Sequence, residues 1–158
     1  MVIRPGTAAD ISVMMSLSSS AATAAQWGAA EYEKIFRRGP VRRHCLILEE
    51  NGAVQAFIVA RQLEREWEIE NIATATIARR RGLGTRLLGE IMAIAYSCSA
   101  REVTLEVRKS NHAARGLYQK WGFVESGRRA DYYTSPIEDA IIFRFAFPKK
   151  FPEIVEAD

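Results

Sequence analysis

Cysteine and histidine are scarce in this chain, which has only two of each among its 158 residues. Cys45 and Cys98 stand in apolar surroundings, and neither has a second thiol or a histidine at metal-ligand spacing. His44 adjoins Cys45, but neighbouring residues of a strand point to opposite faces of the sheet, so these two side chains do not converge. The sequence therefore predicts no bound metal and two reduced cysteines in a cytoplasmic protein.

Long apolar runs and a large excess of one charge are also missing. No uninterrupted apolar segment reaches the roughly 20 residues that a membrane-spanning helix requires. Lys and Arg total 22 against 19 Asp and Glu, and the net charge of +3 is too small to indicate a membrane or nucleic-acid surface. With 48% hydrophobic residues, we expect one soluble domain over residues 1–148, followed by a patternless tail over 149–158.

The first half of the sequence contains signals for both strands and helices. Thr7, with Asp10 three residues later, gives a capping-box-like helix start. Asn51-Gly52 favours positive backbone φ angles and predicts the clearest hairpin of the sequence. The predicted elements are a strand at Val2–Arg4, helices ending at about Ala25 and spanning Ala30–Arg38, and strands at Cys45–Glu49, Val54–Arg61 and Trp67–Thr74.

The second half begins with the strongest helix pattern, in which Leu83, Leu87, Ile91 and Ala95 recur every fourth residue after Gly82. Its further predicted elements are a strand at Val103–Val107, a helix at Asn111–Trp121, and strands at Phe123–Gly127 and Ala140–Phe147 separated by a polar, aromatic loop at Arg128–Asp139. Strands and helices are interleaved throughout the chain. The sequence therefore predicts an α/β fold with a mixed sheet.

The segment from Arg79 to Gly84 combines arginines with glycines at the point where a strand gives way to a helix. Free backbone N–H groups at a helix start bind phosphate oxygens, and glycines at 82 and 84 permit close approach of the main chain. A dinucleotide-binding turn would need a third glycine near Leu87, and a Walker loop would need Gly-Lys before Ser or Thr. The sequence has neither, so it predicts another kind of phosphate loop; the alternative is a helix cap with surface arginines.

Three polar residues follow on the next strand and helix. Glu106 alternates with Leu105 and Val107, so its carboxylate projects from the opposite face of the strand. Asn111 and Tyr118 are seven residues apart, two helical turns, and so share one helix face. An amine that attacks a thioester must lose a proton, while the departing thiolate gains from a proton donor. Glu106 suits the first task and Tyr118 suits the second.

Other interpretations of these residues stay open at this point. Glu106 can instead pair with a neighbouring cation on a solvated strand, and Tyr118 can pack in the core with its hydroxyl at the surface. Glu68 and Glu70 share one face of the preceding strand by alternation, and they are rival candidates for the base. The sequence does not rank the three carboxylates.

With these residues assembled, the chain resembles the GNAT acetyltransferases, and within them the RimI-type enzymes that acetylate protein N-terminal amines. The likeness runs from Val2 to about Phe147. Its specific parts are Asn71-Ile72-Ala73, Arg79-Arg80-Arg81-Gly82-Leu83-Gly84, Leu105-Glu106-Val107-Arg108, Tyr132-Tyr133 and Glu138-Asp139-Ala140-Ile141-Ile142. The family usually has Val-Asp-Pro where this chain has Thr74-Ala75-Thr76. We expect contacts between the backbone and the coenzyme to be preserved despite this change.

The resemblance implies a mixed, mostly antiparallel sheet of about seven strands with about four helices, splayed between the fourth and fifth strands. It implies acetyl-CoA as cosubstrate and no metal, with Glu106 as proton acceptor and Tyr118 as proton donor. It also implies a peptide site near Trp27, Tyr132 and Tyr133. The residues implied to hold the coenzyme are Ile72, Ala73, Thr74, Arg79, Arg80, Arg81, Gly82, Leu83, Gly84, Thr85 and Asn111.

The expected acceptor is a protein N-terminal α-amine, with the N-terminal alanine of a ribosomal protein as the candidate by family analogy. An α-amine has an ordinary pKa near 7.7–8.0 against about 10.4 for lysine, so much more of it is neutral near pH 7. Two alternatives stay open: a small-molecule amine or lysine side chain as acceptor, and a non-catalytic module that binds CoA or RNA through Arg79–Arg81 and Arg128-Arg129. No nucleic acid or membrane partner is expected.

Overall fold

A seven-stranded sheet in the order β1-β2-β3-β4-β5-β7-β6 organises residues 1–21 and 25–149, the part of the chain that the computed structural model describes. The strands are β1 Val2–Pro5, β2 Arg42–Glu50, β3 Ala53–Leu63, β4 Glu66–Thr74, β5 Glu102–Arg108, β6 Val124–Thr134 and β7 Ile137–Ala146. The α-helices are α1 Ile11–Ser19, α2 Ala29–Ile35, α3 Leu83–Ser97 and α4 His112–Trp121. Every strand pair is antiparallel except β4 with β5. The predicted mixed, mostly antiparallel α/β fold is confirmed.

The parallel pair of strands comes apart halfway along its length. Residues Glu66–Ile69 of β4 pair with Glu102–Leu105 of β5, and no pairing continues beyond Ile69 and Leu105. The rest of β4 still pairs with β3, and the rest of β5 still pairs with β7. The predicted splay between the fourth and fifth strands is therefore confirmed, and it leaves a gap in the middle of the sheet.

A bulge in β4 decides which side chains face each side of that gap. Ala60 pairs with Ile69 and Val59 with Asn71, so Glu70 is an extra residue on its strand. Ile69 belongs to the apolar cluster under α3 and α4, whereas Ala73 belongs to the cluster under α1 and α2. The alternation along β4 therefore changes phase at the bulge.

Two predicted helices end earlier than their sequence patterns indicate. The first was expected to reach about Ala25, but α1 ends at Ser19; residues 22–24 lie outside the described part of the chain. Serine hydroxyls explain this end, because Ser19 Oγ donates to the carbonyl of Ser16 at 2.9 Å and Ser20 Oγ to that of Leu17 at 3.0 Å. Such bonds compete with continuation of the helix. The second helix ends at Ile35 rather than at Arg38.

The predicted loop over Arg128–Asp139 is wrong. Strand β6 continues to Thr134, and β7 begins at Ile137, so this segment is most of a β-hairpin. β6 is the edge strand of the sheet, most of its residues are exposed, and its pairing with β7 shifts register twice. A solvated, bulged edge strand shows no regular alternation of apolar and polar residues, so its sequence is polar like that of a loop.

Asp10 gives a stability prediction near the start of α1. Its carboxylate accepts from Arg4 Nη1 and Nη2 at 2.8 Å and from the backbone N–H of Thr7 at 2.8 Å. The hydrogen bonds from Arg4 lower the pKa of Asp10 from 3.8 to about 2. A lowered pKa stabilises the fold above the unfolded value of 3.8, and this contribution is lost as the pH falls towards 2.

We therefore expect Asp10→Asn to lower the free energy of unfolding at pH 7 by about 1.5–3 kcal/mol, the range for a hydrogen bond to a charged group. Chemical denaturation of both proteins between pH 7 and pH 2.5 measures the difference. The gap between wild type and variant should shrink steadily below pH 4. A gap that stayed constant with pH would contradict the role given to this carboxylate.

No helix within the described residues is both long and apolar enough to cross a membrane.

Candidate active site

A cavity of about 570 Å³ occupies the gap where β4 and β5 separate. It lies between the start of α3, the face of α4, the segment after α1 and the β6–β7 hairpin. The cavity brings together these predicted site residues: Trp27, Ile72, Ala73, Thr74, Arg79, Gly84, Glu106, Asn111, Tyr118, Tyr132 and Tyr133. Five further predicted residues do not line it: Arg80, Arg81, Gly82, Leu83 and Thr85.

The segment Arg79–Gly84, the predicted phosphate loop, leads into α3 through a left-handed turn. Gly82 caps α3 with φ 75° and ψ 16°, a left-handed conformation that favours glycine. The first N–H groups of α3 have no partner within the helix until Arg86, whose N–H donates to Gly82 at 3.1 Å. Leu83 is only 1% exposed and packs in the apolar cluster under α3 and α4, so its side chain is not available to a ligand. The positive end of α3 can therefore hold phosphate oxygens through main-chain groups.

The arginines of this loop differ in what they contact. Arg81 Nη2 contacts both carboxylate oxygens of Glu50, at 2.7 and 2.8 Å. The Arg81 guanidinium lowers the pKa of Glu50, which keeps that carboxyl ionised at neutral pH. Arg79 Nη2 donates to the carbonyl of Ser20 at 3.3 Å and lines the cavity. Arg79 thus lines the cavity, whereas Arg81 pairs with Glu50 and does not line it.

Glu106 projects into the cavity from β5, as the alternation of the strand predicts. Its neighbours Leu105 and Val107 are buried in the cluster under α3 and α4. Glu106 Oε1 contacts Arg129 Nε of β6 at 2.8 Å. Arg108, one of the two neighbouring cations considered as a partner of Glu106, has its Nη1 3.4 Å from Glu138 Oε1.

Two further carboxylates line the cavity from β4. Glu68 contacts Arg61 Nη2 at 2.7 Å, and Glu70 contacts Arg43 Nε at 2.9 Å. Burial raises the pKa of Glu68, and the nearby charges of Glu70 and Glu106 add to this effect while Arg61 opposes it. Sequence reasoning found the three acidic residues but missed the arginine that each of them contacts. No spacing signal connects residues that lie on different strands.

Tyr118 combines a core position with a place at the cavity. Its ring lies 5.7 Å from that of Phe123 and 6.2 Å from that of Phe143, measured between centroids, and the residue is 3% exposed. It also lines the cavity from α4. Burial raises the pKa of Tyr118 well above its ordinary value of 10, so its phenol stays protonated at neutral pH. A protonated phenol is the form that can donate a proton.

Asn111 is placed by the start of α4. Its Oδ1 accepts from the backbone N–H of Ala114 at 3.2 Å, so the residue caps the helix as well as lining the cavity. This capping role was not part of the sequence prediction. This hydrogen bond fixes the carboxamide at the start of α4, directly after β5.

Aromatic side chains also line the cavity. Trp27 packs edge-on against Tyr32 at 5.4 Å, and Tyr132 packs edge-on against Tyr133 at 5.1 Å. The guanidinium of Arg108 lies 4.2 Å above the ring of Tyr133. Burial, followed by the charge of Glu106, raises the pKa of Tyr133 to about 12. Both tyrosines belong to the β6–β7 hairpin, so this hairpin forms one wall of the cavity.

Neither cysteine is part of the cavity lining. Cys45 and Cys98 are free thiols, and burial raises the pKa of Cys45 to about 12. No group of three His, Cys, Asp or Glu residues in the described ranges is arranged to hold a metal ion.

Several known proteins are similar to this chain in sequence or in structure. The sequence profile of the acetyltransferase (GNAT) family matches residues 13–123. The ribosomal protein bS18-alanine N-acetyltransferase of Escherichia coli is 38% identical over 113 residues, which cover 70% of this chain and 76% of that protein. A Bacillus subtilis protein that carries the same name provisionally is 36% identical over 99 residues, and the match spans 63% of this chain and 66% of that protein.

Solved structures agree with the sequence relatives. The crystal structure of the ribosomal-protein-S18-alanine N-acetyltransferase from Escherichia coli superposes with a TM-score of 0.83 at 26% identity, covering 97% of each chain. Ard1 from Thermoplasma volcanium superposes with a TM-score of 0.83 at 25% identity, covering 94% of this chain and 98% of its own. Both the family profile and the fold lead to one conclusion: this chain belongs to the GNAT family of acetyltransferases, with RimI-like relatives.

Proposed function

We propose that this protein transfers acetyl from acetyl-CoA directly to the α-amine of a protein N-terminus. The main support for this proposal is that Glu106 and Tyr118 both lie at one gap in the sheet. Glu106 projects from the sheet face opposite Leu105, whereas Tyr118 packs in the same cluster as Leu105. The two candidate proton-transfer groups therefore approach the gap from opposite faces of the sheet.

This arrangement suits a reaction in which two substrates meet in the gap. The coenzyme would approach from the α3 and α4 side, where the phosphate loop offers its backbone N–H groups and Gly84 leaves room beside Leu117. The unpaired edge of β4 at Ile72–Thr74 would bind the extended arm of the coenzyme through main-chain groups, as a strand binds its neighbour. The acceptor would enter from the α1 and α2 side, between Trp27 and the β6–β7 hairpin.

Each chemical step then has a residue in a suitable place. The amine nitrogen forms a bond to the acetyl carbon while the bond between that carbon and the coenzyme sulfur breaks. Glu106 takes the proton that the nitrogen loses, and Tyr118 gives a proton to the departing thiolate. Neither cysteine is required, because the acetyl group passes directly between the two substrates.

The proposed acceptor is a protein N-terminus that begins with alanine, by analogy with the relatives named for ribosomal protein S18. Trp27, Tyr132 and Tyr133 would wall the first residues of this peptide. Near pH 7, a much larger fraction of an α-amine than of a lysine amine is neutral. The enzyme therefore needs a weaker base to prepare an α-amine for attack. We place the reaction in the cytoplasm, where two free thiols remain reduced.

A thiol-release assay tests this function. The purified protein is given acetyl-CoA and hexapeptides that differ only in their first residue, and each peptide is also supplied with a blocked N-terminus. We expect release with free N-termini that begin with alanine or another small residue, and none with their blocked forms. If the protein bound acetyl-CoA but released no thiol with any of the peptides, the acceptor would instead be a small-molecule amine.

A further inference from the structure

Asn71 has a buried polar atom that the fold leaves without a partner. Its side chain is among the few buried polar ones, and Oδ1 accepts no hydrogen bond within the described part of the chain. The other end of the same carboxamide is occupied, because Nδ2 donates to Tyr32 Oη at 3.3 Å. An unpaired buried acceptor is unfavourable, since it has lost water without gaining a donor. A donor that arrives with a ligand would remove this cost.

The carboxamide is held in place by residues of α1 and α2. Tyr32 Oη shares a short hydrogen bond with Ser18 Oγ. The Tyr32 ring packs edge-on against Trp27 at 5.4 Å and Phe57 at 6.3 Å. Because Tyr32 is fixed on several sides, it fixes Nδ2 of Asn71 and thereby the direction of Oδ1. The unpaired oxygen is thus a preorganised acceptor.

The position of Asn71 indicates which substrate supplies the donor. It lines the cavity two residues beyond Ile69, where β4 leaves β5. Its hydrogen bond to Tyr32 places it on the α1 and α2 face of the sheet, the face to which Glu106 also projects. Helix α3, which begins directly after the predicted phosphate loop, packs on the other face. The donor therefore belongs to the acceptor rather than to the coenzyme.

We propose that Asn71 is a positioning residue for the acceptor: its Oδ1 accepts one N–H of the attacking amine, while Glu106 receives the other proton. This inference rests on the proposed function. A neutral primary amine has two N–H bonds, and the reaction breaks only one of them. The remaining N–H bonds to Asn71, and the nitrogen lone pair is turned towards the acetyl carbon.

This arrangement makes Asn71 a determinant of specificity for primary amines. A neutral secondary amine has one N–H bond, which it must give up to Glu106, so nothing remains to satisfy Oδ1. A site whose buried polar atom is left unpaired rejects such a substrate strongly. The structure therefore predicts poor acetylation of peptides whose first nitrogen carries a methyl group.

The test compares an alanine-initiated peptide with its N-methylalanine counterpart in three proteins. We expect wild type to prefer the primary amine in kcat/KM by about 10- to 100-fold, within the range for leaving a buried acceptor without a hydrogen-bond donor. Asn71→Leu should lose most of the rate with the alanine peptide and little with the methylated one, so that the preference falls to near unity. The KM for acetyl-CoA should not change. Should Asn71→Leu fail to bind acetyl-CoA, Asn71→Ala makes the same comparison.

Tyr32→Phe is the matched control, because it removes the partner of Nδ2 but keeps Oδ1. A purely structural role for Asn71 would make both variants alike. The proposal predicts instead that Tyr32→Phe, in which Oδ1 is present but less firmly held, keeps part of the preference for the primary amine that Asn71→Leu loses. An undiminished preference in Asn71→Leu would show that the methyl group is excluded by shape, and the inference would be wrong while the proposed function stood. Acetyl-CoA binding by wild type without acetylation of any α-amine would overturn both.

Discussion

Replacing Glu106 by glutamine is expected to lower kcat/KM for a free N-terminal peptide by about 10²- to 10⁴-fold, the range that a positioned general base contributes. Glutamine keeps the size of the side chain and an oxygen that can accept from Arg129 Nε, now 2.8 Å from Glu106 Oε1. What it removes is the carboxylate that takes the proton. Acetyl-CoA binding should be unchanged, because the phosphate loop is untouched. Steady-state kinetics and a binding titration measure the two quantities.

Glu70→Gln and Glu68→Gln are the matched controls, since each of these carboxylates also lines the cavity and contacts an arginine. Both variants should keep most of the activity. If Glu106→Gln kept near-normal turnover and Glu70→Gln or Glu68→Gln lost it, the base would be a carboxylate of β4 instead of Glu106. Glu68 is the stronger of these two rivals, because burial raises its pKa and a raised pKa makes a better proton acceptor.

Replacing Tyr118 by phenylalanine is expected to lower kcat by about 10²-fold or more, while the KM for the peptide changes little. The variant loses only the hydroxyl, and the ring keeps its contacts with Phe123 and Phe143. The fold should therefore be as stable as wild type, which thermal unfolding checks. Tyr133→Phe is a control for loss of a phenol at the same cavity. An unchanged kcat in Tyr118→Phe would exclude this phenol as the proton donor.

The raised pKa of Tyr118 also predicts the form of the pH profile. A proton donor must be protonated, so its contribution is lost only as the pH rises through its pKa. Burial places that pKa above the ordinary value of 10. We therefore expect no fall in kcat from this group between pH 7 and about 10. An alkaline fall that began near pH 8 and disappeared in Tyr118→Phe would contradict the assignment.

The strands that carry the site follow from the sequence, because they are buried on at least one face. β4 was expected at Trp67–Thr74 and spans Glu66–Thr74, and β5 was expected at Val103–Val107 and spans Glu102–Arg108. The regular alternation of β5 predicts correctly that Glu106 faces away from Leu105. The same reasoning fails where an element is exposed to solvent. The sequence of the edge strand β6 beyond Gly127 is polar like that of a loop. The serines at the end of α1 fit a helical pattern, but their hydroxyls bond to the backbone and the helix ends there.

The contacts between side chains within the site were harder to predict from the sequence. The local spacing of Asn111 and Tyr118 gives one helix face, and both residues line the cavity. The ion pair of Glu106 with Arg129 and the contact of Trp27 with Tyr32 join separate elements. Such pairs depend on strand register and on the bulge in β4, neither of which leaves a periodic signal. The roles of the site residues remain predictions that the variants described above test.

Localising the transferred acetyl group distinguishes a protein α-amine from a lysine side chain as the acceptor. A single peptide with a free N-terminal alanine and one internal lysine is incubated with the protein and acetyl-CoA, and the product is fragmented by mass spectrometry. We expect one added acetyl group on the α-nitrogen of alanine and none on the lysine. Acetylation of the lysine with the α-amine left free would contradict this expectation.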